Sequence, residues 1–363
     1  MNRAEIGRRE FSRATAGKGP VATGRVREAS PVLAAGVEQF IFADVFSRSG
    51  LPARERELLT VAVLAAIGGA DNQLGVHVPA ALECGADPEE LIQLCEQVAP
   101  YAGFPRALNA LRAVRTILDE RGLPLPLPVI EVGLADHDTL VAEVGEGADG
   151  TLFLHAPELD RRMWRDLMRE LPAGHHAVAP DLRGAGAAVG APAPAGVADL
   201  VADLLGVLDD RGLARVEVVV QGASAALACA LADAHADRIT RITFVGPRPV
   251  ETGPVPGADV LALQLRAVTL AADTWAARYA RDRFARLDHE GWTVRAGVLV
   301  DVALARTRGV DCHVVVGDAD TWAEPGLVGQ VWPDASVTTV SAAGHLVPLE
   351  APSGLAAAII AVS

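Results

Sequence analysis

The sequence predicts an α/β fold over its C-terminal two-thirds, preceded by an all-helical domain, in a chain of 363 residues. Three observations predict this. From Val129 onward, short β-rich runs alternate with helical stretches, the pattern of a mostly parallel sheet. From Val32 to Arg121 the periodicity is helical throughout. Between them Leu123-Pro-Leu-Pro-Leu-Pro128 is a stiff, extended connector. The expected organisation is a flexible polar arm (1–20), a helical domain (21–122), a linker (123–128) and the α/β domain (129–363). The length suffices for two separate cores.

In the helical domain, one helix opens at Leu51-Pro-Ala-Arg-Glu and ends at Gly68-Gly69, with Pro52 near its first turn, where proline is tolerated. A second carries His77 and stops at Gly85, a residue suited to ending helices. Asp87-Pro-Glu-Glu starts a third, with Asp87 as cap and the glutamates at the positive end of the dipole. Pro105 falls in the first turn of a last helix ending near Gly122. In the α/β domain the expected strands are Val129–Val132, Thr139–Val144, Thr151–His155, His176–Ala179, Val216–Val220, Ile239–Val245, His313–Val316 and Ser336–Val340. The first two have no helix between them, which suits antiparallel pairing. Asp160–Leu171 and Val197–Leu213 read as helices.

Composition narrows the function. A formal charge of -14 disfavours nucleic acid and anionic membranes as partners. No apolar run approaches the ~18 residues of a membrane span. The charged opening, Met1-Asn-Arg-Ala-Glu-Ile-Gly-Arg-Arg-Glu, lacks a secretory core, so a cytoplasmic protein is expected. Cys84, Cys95, Cys229 and Cys312 have neither C-x-x-C nor zinc spacing. Reduced thiols, no metal and no cofactor are expected.

The chemistry centres on Val218-Val-Val-Gln-Gly-Ala-Ser-Ala-Ala-Leu227. A β-branched run meets Gly222-Ala-Ser-Ala-Ala226 and a helix follows. This spells the nucleophile elbow G-x-S-x-G with alanine as last glycine, so Ser224 is the expected nucleophile. Ala225 N–H is the expected oxyanion donor. Val314-Val-Val-Gly-Asp-Ala-Asp320 is a strand ending in two acids. Asp320 is preferred as the group that orients the base, with Asp318 as fallback. Ser341-Ala-Ala-Gly-His345 follows the last strand and supplies the base. Ser, acid, His is the expected chain order, and the triad Ser224–Asp320–His345 suits attack on a carbonyl.

Most of residues 129–363 resemble 3-oxoadipate enol-lactonases, which implies the α/β-hydrolase fold. The resemblance rests on Leu154-His-Ala-Pro-Glu-Leu-Asp-Arg-Arg-Met-Trp164, Ala179-Pro-Asp-Leu-Arg-Gly-Ala-Gly186, the helix Asp199–Asp209 and Gly344-His-Leu-Val-Pro-Leu-Glu350. It implies substrate contacts around Ala156, Pro157 and Trp164. It also implies a second oxyanion donor at Pro157, which has no N–H; losing one such donor costs about 10²–10³ in rate. Only about 65 residues separate Ile239–Val245 from His313–Val316, so the expected lid is shortened. His155 is expected to anchor its loop or to face the pocket.

Residues 32–121 resemble γ-carboxymuconolactone decarboxylases, an AhpD-like helical family. The matching strings are Ser49–Thr60, Gln73-Leu-Gly-Val-His77, Glu83–Leu91 and Tyr101-Ala-Gly-Phe-Pro105. The resemblance implies that His77 donates a proton or anchors substrate. The family's acids are replaced by Gln73 and Gln93. Arg54 and Arg56 are candidates for holding a substrate carboxylate. In the β-ketoadipate pathway a decarboxylase of this kind makes the enol-lactone that the lactonase opens, and fusion raises one site's local concentration near the other. The expected protein is therefore a divergent bifunctional enzyme acting on a small-molecule lactone, ester or β-keto acid. Two alternatives stand beside it. One is a biosynthetic enzyme of secondary metabolism (a cyclase, dehydratase or decarboxylase on a polyketide-like intermediate). The resemblance also implies a homo-oligomer assembled through the helical domain, and the other alternative is that assembly is that domain's only role.

Overall fold

The computed structural model describes residues 2–14, 24, 26–247, 269, 274–285, 310–320 and 333–362. The chain divides into two compact units, Met1–Pro126 and Leu127–Ser363.

The first unit is helical. α1 (Arg3–Ala14) occupies residues expected to be a polar arm. Its amphipathic side explains the difference: Phe11 is buried and stacks on Phe42, ring centres 4.2 Å apart. Residues 15–20 of that arm lie outside the described residues. α2 (Pro31–Ala35) is capped by Ser30 and continues as a π-helix, Gly36–Phe46. α3 (Ala53–Ile67), α4 (Asp71–Glu83), α5 (Pro88–Ala102) and α6 (Phe104–Glu120) surround the core. Asp87 accepts from Glu89 N–H at 2.9 Å while Glu90 accepts from Asp87 N–H at 2.8 Å, the reciprocal cap that starts α5. Val61, Leu74, Leu91, Val114 and Leu118 form the apolar centre.

The second unit is an eight-stranded sheet among the described residues, with strand order β1-β2-β4-β3-β5-β6-β7-β8. The strands are β1 (Val129–Gly133), β2 (Asp138–Val144), β3 (Asp149–Leu154), β4 (Ala177–Pro180), β5 (Arg215–Gln221), β6 (Ile239–Val245), β7 (Asp311–Gly317) and β8 (Ser336–Val340). β2 runs antiparallel to β1 and β4; every other pairing is parallel. The antiparallel start follows from the short β1–β2 connection, which leaves no room for a crossover. β5 is central and buried from Val216 to Gln221, which explains its β-branched run Val218–Val220. Each buried valine contributes roughly 1.5–3 kcal/mol.

Helices cover the sheet. α7 (Arg165–Arg169) follows a 3₁₀ turn, Arg161–Trp164, so the expected helix over 160–171 is shorter and broken. α8 (Val197–Asp210) and α9 (Ala225–Ala234) pack on one face with Leu204, Val218 and Phe244. α10 (Trp275–Ala285), α11 (Val347–Glu350) and α12 (Pro352–Ile360) join the core of Phe153, Val219 and Leu355. Apart from α10, the expected shortened lid lies largely outside the described residues. No described helix is long and apolar enough to cross a membrane.

Candidate active site

In open parallel sheets, ligand sites form beyond the carboxyl ends of the strands. Here those ends carry Gln221 and Gly222 (β5), Gly246 (β6), Asp318 and Asp320 (β7), and His345 in the loop after β8. Gly317 lets the last two elements meet. A Cβ there would lie 2.3 Å from the carbonyl oxygens of Ala343 and Gly344, so no side chain fits. The close approach is fixed by Asp318 N–H to Val340 O and Ala319 N–H to Ala343 O, both 2.9 Å. Asp318 Oδ1 accepts from Ala343 N–H at 3.2 Å, which makes it a clamp on the loop. Gln221 Nε2 donates to His345 O at 2.9 Å, and Gly344 N–H donates to Glu350 at 2.5 Å.

The held loop presents His345 to Asp320. Nδ1 lies 3.1 Å from Asp320 Oδ2, with both side chains almost completely buried (2% and 1% exposed). A carboxylate only accepts, so this contact keeps the proton on Nδ1 and leaves Nε2 as the basic nitrogen. Asp320, preferred over Asp318 from the sequence, is thus the residue the structure brings to His345.

Ser224 is placed differently from the expectation. Its backbone is right-handed helical (φ -67°, ψ -6°), and its hydroxyl donates to His155 O at 2.7 Å, its one hydrogen bond among the described residues. It borders a small cavity with His155, Pro157 and Leu200, and His345 is not among the described residues lining it. The left-handed residue of the turn is Gly222 (φ +61°). A Cβ built there would lie 3.5 Å from His345 Nε2. The G-x-S-x-[GA] spelling therefore runs two residues out of step with the turn. Ala225 is also corrected: its N–H closes the turn onto Gly222 O and Ala223 O instead of facing outward.

The loop after β3 is largely structural. His155 is buried, with Nδ1 2.7 Å from Ala156 O and Nε2 accepting from Leu182 N–H at 2.9 Å. Burial pushes its pKa down, so the imidazole stays neutral and anchors the loop. Ala156 N–H points at Met163 Sδ, 3.4 Å away, and Pro157 offers none. Trp164, expected near substrate, is fully buried against Phe153, ring centres 5.1 Å apart. Asp160 caps the 3₁₀ turn and ties α10 down, accepting from Tyr279 OH at 2.9 Å. Although burial acts to raise its pKa, Arg162 holds the Asp160 carboxyl well below the usual range. Asp136, His137 and Asp203 also cluster, but the Arg183 guanidinium bonds both carboxylates at 2.8–2.9 Å and meets their charge.

In the helical unit, His77 Nδ1 lies 2.8 Å from Glu57 Oε2, a carboxylate only 2% exposed. No local motif marks Glu57, but its place on one face of α3 with buried Val61 and Ala65, four and eight residues on, is a signal in the sequence. Gln73 is exposed, and Gln93 donates to Glu89 at 3.1 Å. Arg54 and Arg56 are corrected as substrate ligands. Arg54 pairs with Glu55 and Glu90, and Arg56 donates to Leu51 O and Arg48 O at 2.9 Å. Both thus secure the start of α3.

The neutral His155 makes a pH prediction. Because its folded pKa is depressed, the unfolded chain binds the proton first, so stability falls as pH drops below the ordinary imidazole value of about 6.5. Denaturant unfolding between pH 7.5 and 5.5 should show a shallower pH slope in His155→Gln than in the parent. Equal slopes would remove the anchoring role.

Comparison with known proteins agrees with both units. Residues 31–116 match the carboxymuconolactone decarboxylase family, and residues 151–358 match the alpha/beta hydrolase family. Over 87 residues (24% of this chain) the sequence is 33% identical to a 4-carboxymuconolactone decarboxylase of Acinetobacter baylyi, spanning 64% of that relative's length. The enol-lactonase from Burkholderia xenovorans LB400 superposes with TM-score 0.55 at 21% identity, covering 64% of this chain and 98% of that one. A malate-bound esterase from Thermogutta terrifontis gives 0.55 at 20%, covering 65% and 97%. At these identities the solved structures share the fold. The chain belongs to the alpha/beta hydrolase family and carries a carboxymuconolactone decarboxylase-family domain ahead of its hydrolase fold.

Proposed function

We propose that the α/β unit hydrolyses a lactone or ester, with His345 as general base and Asp320 as the group that orients it. The observation that carries this reading is the buried 3.1 Å contact between His345 Nδ1 and Asp320 Oδ2 beyond the carboxyl ends of β7 and β8. An imidazole held in one tautomer keeps its second nitrogen ready to take a proton from an attacking oxygen and return it to the leaving group. Asp320 offsets the positive charge that appears on the ring. The names of the esterase and enol-lactonase neighbours support this substrate class.

The helical unit, in the same proposal, acts on a carboxylated lactone or β-keto acid. Loss of CO₂ leaves an enolate that needs a proton, and His77 backed by Glu57 can supply it. The decarboxylase relative supports this half. A second reading, carbon-acid chemistry in a biosynthetic role, is favoured by one feature: the base faces a turn residue with no side chain, Gly222.

On a panel of activated esters and lactones, His345→Ala should lower kcat/KM by about 10²–10⁴. Asp320→Asn should lower it through kcat. His77→Ala should leave ester turnover intact while abolishing CO₂ release from a carboxylated lactone. Parent-like ester turnover by His345→Ala would contradict the proposal. Assembly through the helical unit belongs to it as well, because Phe40, Tyr101 and Phe104 are 63–82% exposed there. Light scattering should give a multiple of the 37.7 kDa chain mass. A monomer would count against assembly.

A further inference from the structure

We infer that position 222 is the nucleophile position of this hydrolase fold, that glycine has vacated it, and that the site works without a covalent acyl-enzyme. The inference rests on the reading of His345 as base and deepens it.

Three observations converge. A nucleophile elbow puts its reactive residue in a strained, left-handed turn between strand and helix, aimed at the histidine. In this turn the left-handed residue is Gly222, at φ +61°. A Cβ there would meet His345 Nε2 at 3.5 Å, its one near contact among the described residues beyond the turn itself. A hydroxymethyl group at this position would therefore have the base in front of it. The serine that the motif spelling selects is two residues later. It has helical backbone angles, and its hydroxyl is committed to His155 O.

The space left by the missing side chain lies against the basic nitrogen, which suits a water molecule or a substrate proton. For hydrolysis the step balances without a protein nucleophile. His345 Nε2 takes a proton as the water oxygen bonds to the carbonyl carbon. The tetrahedral adduct then collapses, breaking the acyl carbon–oxygen bond. The departing oxygen takes the proton back from Nε2, so one water is consumed and one acid and one alcohol or enol are released. Asp320 stays ionised throughout and holds the ring.

The full-length chain, treated with a fluorophosphonate probe and read by intact and peptide mass spectrometry, tests this. The parent protein should take up no label on Ser224. Gly222→Ser should gain one adduct, mapped to position 222, and the adduct should vanish when His345→Ala is added. Rapid-quench turnover of an activated ester by the parent should show no burst and no acyl mass. Labelled Ser224 in the parent, or an acyl mass on it, overturns the inference. A folded Gly222→Ser chain (by circular dichroism) that stays unlabelled also overturns it. If that variant fails to fold, the parent's labelling and burst still decide. Failure of the base reading looks different: His345→Ala would hydrolyse esters like the parent whatever the labelling shows.

Discussion

The hydrogen bond between His345 and Asp320 depends on how closely the end of β7 approaches the loop after β8. A buried carboxylate beside a buried imidazole is costly unless each satisfies the other. The two can meet only because Gly317 lets backbone pack on backbone, with Asp318, Gln221 and Glu350 holding the loop by hydrogen bonds. The central sheet provides the rigidity behind this arrangement. β5, β6 and β7 are parallel and their ends are buried. The Asp320–His345 contact is thus a consequence of strand order, close packing and one glycine.

Much of this was legible in the sequence. The eight described strands fall within two residues of their expected bounds, the central ones because buried parallel strands are continuous apolar runs bounded by turns. The order acid-then-histidine at the ends of the last two strands anticipates the contact between Asp320 and His345, since topology brings those ends together. What the sequence misplaced was the turn. Gly222-Ala-Ser-Ala-Ala226 spells an elbow, yet spelling carries no backbone angle, and either Gly222 or Ser224 could have been the left-handed residue. Glycine adopts that region at no steric cost. Its presence two residues before the serine was the available clue.

The helical unit gives the complementary lesson. His77 was singled out through its neighbours in sequence, but its partner Glu57 comes from another helix, 20 residues away. Local strings do not report such cross-helix pairs; an acid on an otherwise buried face does. Arg54 and Arg56 looked available because helix starts are often solvated. In the folded unit their guanidinium groups are taken up by Glu90 and by loop carbonyls. Trp164 shows the same effect in the hydrolase fold, where an aromatic residue of the family-like loop serves the core.

A high-resolution crystal structure of the unmodified chain would show which residue of the turn after β5 faces His345. The expected result is a left-handed Gly222 facing His345 Nε2, His345 Nδ1 on Asp320, and the Ser224 hydroxyl on His155 O. A left-handed Ser224 with its Oγ hydrogen-bonded to His345 Nε2 would contradict it.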